Sequence, residues 1–258
     1  MGNAEEAKPT LYNQGVYEES ATQKHRLGTV RELDDGRRFV YCKATAAAIA
    51  AGIVVSKAVA AQDCTIAAAD ALINLAGVRK ITLTLSGTPT ANLYQDGYMV
   101  ITAGTGIGQI YRIKGNSADD VPASGRCTLY LYDKLATAHL ASDTTISIFE
   151  NPYNGVLLNP AVADGDAVTA EPPLGVTQRA VTASYYFWAQ TWGIGSCMLI
   201  ASTAGNEADE KRLIQGTTAG HLFVGPTTLE EDQVVYGRVF ESADMTTAEA
   251  SLIEILIR

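Results

Sequence analysis

Three histidines, four cysteines, one glycine cluster and a few paired acids are the residues through which this chain could do chemistry. His25, His139 and His221 stand far apart, and the HExxH, GxSxG and calcium-loop patterns are all missing. Cys42, Cys64, Cys127 and Cys197 form no CxxC or Cys/His cluster, so they read as separate core or strand thiols and not as a zinc or redox site. A glycosidase needs two carboxylates about 5–9 Å apart in an aromatic-lined cleft. The nearest clusters, Asp164/Asp166 and Glu230/Glu231/Asp232, fall in loop-like segments where solvation accounts for them. Gly104-Thr-Gly-Ile-Gly108 lacks the Lys-Ser/Thr of a phosphate loop and leads into Gln109-Ile-Tyr-Arg-Ile113, which reads as a strand. Those glycines are expected to make a turn or bulge. No catalytic residue, metal or cofactor is expected.

The most distinctive stretch is Tyr185-Tyr-Phe-Trp188, continued by Gln190 and Trp192. On a strand, Tyr185, Phe187 and Ala189 face one way, and Tyr186, Trp188 and Gln190 face the other. Large rings on both sides imply a strand buried on both faces, an interface, or a carbohydrate platform. Tyr186, Trp188 and Trp192 are therefore contact candidates. Four more, Leu11, Tyr12, Val16 and Tyr17, stand in an otherwise polar and aperiodic segment, residues 1–27, which reads as an extended arm, either ordered only on a partner or a disordered tail.

The elements that would carry these residues are strands. Gly28–Lys43 reads as a hairpin turning at Asp34-Asp-Gly36. Thr45–Ala51 could form a helical turn or two closed by Gly52, ahead of a strand at Ile53–Val55. Ala67–Ala76 is helix-permissive. Five strands follow at 79–85, 98–102, 109–114, 126–132 and 144–149, with Ile81, Leu83 and Leu85 on one face of the first. After the Asn151-Pro-Tyr-Asn-Gly155 break, residues 160–175 read as a long loop around a short strand. Strands are then expected at 184–190, 197–201, 222–225, 233–240 (with Gly237 as a bulge) and 251–257, a helix from Thr246 or Thr247 competing with the last.

The fold class expected is mainly β: β-barrel or β-sandwich domains with an extended N-terminal arm and little helix. Residues 78–152 read as an inserted β domain, and residues 28–77 with 153–258 as the discontinuous domain that hosts it. A serial layout, 28–152 then 155–258, is the competing arrangement.

Composition sets the outer limits. Only 18% of residues are charged and 47% are apolar, so a sizeable core goes with a weakly charged, small-residue surface. A formal net charge of −9 argues against broad nucleic-acid binding. The start of the chain shows no signal peptide, and Ala44–Ala61 is too interrupted for a membrane span. The chain reads as made in the cytosol.

Three stretches carry a resemblance: Gly28–Lys43 leading to Gly52; Asn92–Val100 through Gly108–Lys114 with Leu131–Leu135 and Asn151–Val156; and Tyr186–Gly193 followed by the Gly225 region. They resemble tailed-bacteriophage head decoration, or capsid-stabilising, proteins. The resemblance implies a non-enzymatic virion protein on the outer capsid surface. It would bind the major capsid protein and self-associate around capsid symmetry axes, as a trimer or in clusters. It carries over no functional residues. A minor tail or head-fibre protein and a carbohydrate-binding β module are the alternatives.

Overall fold

Apolar residues at every second position give strands that bury one face, and this pattern dominates the chain. The computed structural model describes residues 12–57, 61–66, 74–119, 125–140, 143–161, 172–200, 212–224, 234–240 and 248–257. Of the described residues 48% are strand and none is helix. It divides into two units, Met1–Lys57 with Gly155–Arg258, and Ala58–Asn154.

The second unit holds β4 (Ala61–Thr65), β5 (Lys80–Leu85), β6 (Tyr98–Ala103), β7 (Ile110–Asn116), β8 (Arg126–Leu131) and β9 (Thr145–Phe149). All pair antiparallel in the circuit β4-β5-β8-β7-β6-β9, and β9 returns to β4. Inside it lie Ile81, Leu83, Met99, Ile113, Leu129, Ile146 and Ile148, all fully buried. Each comes from an alternating run, so period two alone selects this core. The unit begins about twenty residues before the boundary at 78 drawn from sequence, because β4 belongs to it.

The larger unit is one ten-stranded sheet. Its strands are β1 (Val30–Glu32), β2 (Arg38–Ala44), β3 (Val54–Ser56), β10 (Asn154–Leu158), β11 (Pro173–Thr177), β12 (Tyr186–Leu199), β13 (Arg212–Gln215), β14 (Leu222–Val224), β15 (Gly237–Val239) and β16 (Glu249–Leu256). The 14-residue β12 is the hub. Its first half pairs with β2 and its second half with β16, and the ladder shifts register between Gln190 and Trp192. One circuit of pairing, β2-β10-β3-β11-β12, returns to β2; another, β12-β14-β13-β15-β16, returns to β12.

The β-barrel expectation is corrected by these ladders. A regular barrel needs each strand laddered along its length to both neighbours at a common stagger. Here β4 meets β5 through only Cys64↔Leu85 and Thr65↔Thr84, and β12 meets β14 through Leu199↔Leu222 alone. The β6–β9 and β7–β8 ladders also slip, at Ile101/Ala103 and Ile113/Gly115. Neither unit is a true barrel.

Other readings change as well. Residues 45–51 hold no helix; Ile49 bridges Val181, and Gly52 (φ 71°) makes a turn. Strands expected separately at 184–190 and 197–201 are the single β12. Gly193 and Gly195 lie inside it, where a Cβ would sit 3.1 Å from the Arg37 Cα and 2.7 Å from the Ile255 Cδ1. They permit close approach; they do not break the strand. Gly237 pairs with Ile255 within β15, where a Cβ would come 2.1 Å from the Glu254 carbonyl, so it too marks close approach instead of a bulge. The C-terminal run is the strand β16. Residues 67–73 and Thr246–Thr247, read as helix-permissive or as a helix start, lie outside the described residues, as do Asp164, Asp166, Glu230, Glu231 and Asp232.

Candidate functional site

Strand pairing builds the most elaborate side-chain cluster, on one face of β2 and β12. Trp188 lies opposite Tyr41, Tyr186 opposite Lys43 and Gln190 opposite Phe39. Period two then puts Tyr41, Tyr186 and Trp188 on one side. Tyr41 stacks on Tyr186 at 6.0 Å and meets Trp188 edge-on at 4.9 Å.

Residues 12–27 of the expected arm lie over this face as a strap, docked on their own chain; residues 1–11 are outside the described residues. Gln14, buried although polar, is its anchor. Its side-chain oxygen accepts from the Tyr41 hydroxyl (2.8 Å), and its Nε2 donates to the carbonyls of Glu18 (2.8 Å) and Tyr186 (3.0 Å). Its backbone carbonyl accepts from the Trp188 indole (3.2 Å) and from Arg31 Nη1 (3.0 Å). A buried amide with its hydrogen bonds made fixes register well, because any shift strands a polar group. Farther along, Ser20 bridges Tyr186, and Glu19 accepts from Arg179 Nη2 and from the Thr182 amide and hydroxyl.

His25 fits among the rings, 5.2 Å from Tyr41, 5.3 Å from Trp188 and 5.6 Å from Tyr12. Its Nε2 accepts the Asn13 amide (3.3 Å), a bond that only the neutral ring makes. Partial burial, then the Arg31 cation, lowers its pKa below the usual histidine value. Arg31 itself lies over the Tyr12 ring at 4.7 Å, and the Lys24 amide donates to the Tyr41 hydroxyl. Because the strapped state binds this proton more weakly than the free chain, its contribution is full above the ordinary histidine pKa. It is lost as pH falls through the lowered value. Proteolysis within residues 12–27 is therefore expected to speed up modestly from about pH 7.5 to about pH 5 in the wild type, and His25→Phe is expected to flatten that dependence. A variant as pH-sensitive as the wild type would assign the effect elsewhere.

Of the contact candidates, Tyr12, Tyr186 and Trp188 come together here. Val16 is buried in the strap, while Tyr17 is 53% exposed and accepts from Arg37 through its hydroxyl. Trp192 lies beyond the register shift, opposite Arg38 and Leu256, and Leu11 is outside the described residues. Sequence reasoning missed Gln14 and His25 as parts of this cluster. Tyr41 could have been found, since alternation along Arg38–Lys43 places it on the Phe39 face.

The glycine cluster turns β6 into β7, with Gly104, Gly106 and Gly108 at φ 79°, 88° and 83°. Its anion is internal: the Thr105 amide (3.0 Å) and hydroxyl both donate to Asp143, and they hold that carboxyl below the usual carboxylate range. His139 is buried nearby, with its Cε1 3.1 Å from where a Gly106 Cβ would stand, and burial lowers its pKa.

All four cysteines are free thiols and buried, and burial pushes Cys42 and Cys197 far up. A thiolate reagent at neutral pH is therefore expected to modify none of them in the folded protein and all four after denaturation. Rapid native labelling of any one would contradict this placement. No three His, Cys, Asp or Glu among the described residues are placed to hold a metal. No helix among them is long and apolar enough to cross a membrane.

These features define a mainly-β protein of two units, the larger of which carries residues 12–27 as a strap over its β2–β12 face. Comparison with protein-family models, curated proteins and solved structures gives no significant match.

Proposed function

We propose that the chain is a structural protein of a tailed-phage virion, a capsid decoration protein that binds the outer surface of the major capsid protein shell and stabilises it without catalysing a reaction. One structural observation carries this reading: the groups best suited to chemistry are tied to the protein's own backbone and rings. Gln14, Tyr41 and Trp188 lock the strap, and Thr105 captures Asp143. The same economy holds at Asp96, which is buried, pairs with Arg112 (3.3 Å) and accepts from Tyr132. Side chains used in this way serve rigidity, the property a shell-bracing protein needs. The sequence resemblance along residues 28–240 supplies the particular shell.

The test is a mass-spectrometric inventory of intact DNA-filled particles before and after a chaotrope wash. The chain is expected at high copy number in intact heads, and to be removed by a wash that leaves the shell whole but less heat-resistant. Its recovery with tails alone, or only in the infected-cell lysate, would overturn the assignment.

A further inference from the structure

We propose that the turn at residues 104–108 and the loop between β8 and β9 form a pH-sensitive latch at one end of the second unit, closed while His139 is neutral and released when its ring takes up a proton. Two glycines seat the turn directly on that loop. A Cβ on Gly104 would stand 1.6 Å from the Asp143 carbonyl oxygen and 3.1 Å from the Thr144 Cα. One on Gly106 would stand 2.9 Å from the Thr137 Oγ1, 3.0 Å from the Gln109 Oε1 and 3.1 Å from the His139 Cε1. Only a backbone without side chains comes this close, so the imidazole is part of the floor on which the turn rests. The loop is pinned from behind. Its Leu135 amide donates to the Val78 carbonyl (2.8 Å), its His139 amide to the Asn74 carbonyl (3.0 Å) and its Ala136 amide to the Tyr111 hydroxyl (2.9 Å).

His139 is fully buried, and neither ring nitrogen has a hydrogen-bond partner. A neutral ring leaves one N–H unbonded there, whereas an imidazolium has two donors to place and a charge to hydrate. The titratable groups on the elements around it are Tyr111 on β7, Asp133, Lys134 and Asp143 on its own loop, and Arg79 beyond Asn74. None of them acts on the ring by its charge. Asp143 is held by Thr105, Arg79 donates to the Tyr132 carbonyl, and the Tyr111 hydroxyl lies between Gln109 and Ala136. The Thr105 backbone is close enough to favour a proton, though not in bonding geometry, and burial outweighs it. A protonated ring is therefore drawn towards water, and the turn loses its floor.

The sign follows from linkage. The closed latch binds the proton more weakly than the open one, so its stabilisation is full above the ordinary histidine pKa and is lost as pH falls through the lowered value. The Thr105–Asp143 hold lasts longer, because it fails only as pH falls through a value below the usual carboxylate range. Between the two, the turn is free at Gly106 and still tethered at Thr105. This inference goes beyond the virion reading and is independent of it, since its test uses the isolated full chain.

Amide hydrogen exchange, expressed as protection factors from about pH 7.5 to about pH 4.5, reads the latch directly. Amides of residues 104–109 and 135–140 are expected to lose protection as pH falls, by up to about tenfold for each pH unit, because opening takes up one proton. Those of β5 and β8 are expected to keep theirs. His139→Leu, of similar volume and without a titrating group, is expected to abolish the dependence, and His25→Phe to leave it. If His139→Leu does not fold, proton NMR of the wild-type ring carries the test, its Cε1 proton being expected to titrate below the ordinary histidine value. Protection that is constant with pH in the wild type would overturn the proposal. So would an unaltered dependence in a folded His139→Leu, or a His139 ring that titrates at or above the ordinary value.

Discussion

Trp188→Ala is expected to destabilise the larger unit by about 3–5 kcal/mol, the usual cost of emptying a fully buried aromatic site. Trp188 is 1% exposed, although its strand lies under a strap and not under a second sheet. Removing the indole takes the edge contacts from Tyr41 and Tyr12 and one of the two donors from the Gln14 carbonyl. The strap has no ladder of its own beyond the Ser20↔Tyr186 bridge, so it cannot close over the space. Denaturant titration followed by circular dichroism measures the loss. Proteolysis in residues 12–27 is expected to accelerate with it, because the strap rests on that ring. Trp188→Phe keeps most of the apolar body, loses the indole donor, and is expected to cost less than half as much. Tyr17→Ala, at an exposed position of the same strap, is expected to stay within about 0.5 kcal/mol. A Trp188→Ala variant as stable as wild type would mean that the aromatic face is not a packed part of the unit.

This cluster also marks where sequence reading reaches its limit. Alternation located the aromatic strand and put Tyr186 with Trp188, because side-chain direction on a strand is a local property. Nothing local announces Gln14. A lone glutamine in an aperiodic segment looks solvated, and its importance arises only when five hydrogen bonds converge on it from β1, β2, β12 and the strap. The docking of residues 12–27 is hidden for the same reason: it rests largely on side-chain-to-backbone bonds, which leave no periodic trace.

The strands show a parallel contrast. Lys80–Leu85, Ile110–Asn116 and Arg126–Leu131 were legible because each faces a core on one side and solvent on the other. Strand β4 was not, since Gln62 and Asp63 interrupt any apolar run. Strand β10 begins at Asn154-Gly155, which by itself is turn chemistry. Between the strands expected at 184–190 and 197–201, Gly193 and Gly195 read locally as a gap, because only the neighbouring Arg37 and Ile255 reveal how closely the chain is approached there. Pairing partners distant in sequence decide all of these cases.

Residues 58–154, expressed alone, are expected to fold with a single cooperative transition and a stability of about 5–15 kcal/mol, ordinary for a domain of that size. Every member of this unit's apolar core lies between Cys64 and Ile148, so excision removes none of it. All six strands find their partners inside the segment, including the β4–β9 pair that closes the circuit. The shorter segment 78–152, the boundary suggested by sequence, is expected to fail. It lacks β4, which pairs with both β5 and β9, so it leaves two strand edges open and uncovers the core beside Cys64 and Ile66. The host unit makes the complementary prediction. Ser56 lies opposite Leu157, and Val55 opposite Leu158, in an antiparallel pair. Joining Lys57 to Val156 through Asn-Gly would therefore complete a two-residue hairpin of the favoured twist. The spliced chain is expected to fold with its buried Trp188 environment intact, read as protected tryptophan fluorescence and native-like near-ultraviolet circular dichroism. Cooperative folding of 58–154 and of the splice, with 78–152 unfolded, is the expected pattern. If 58–154 shows no transition, the inserted unit is not self-sufficient; if 78–152 unfolds as cooperatively as 58–154, β4 is not the part of the unit that its pairing with β5 and β9 requires.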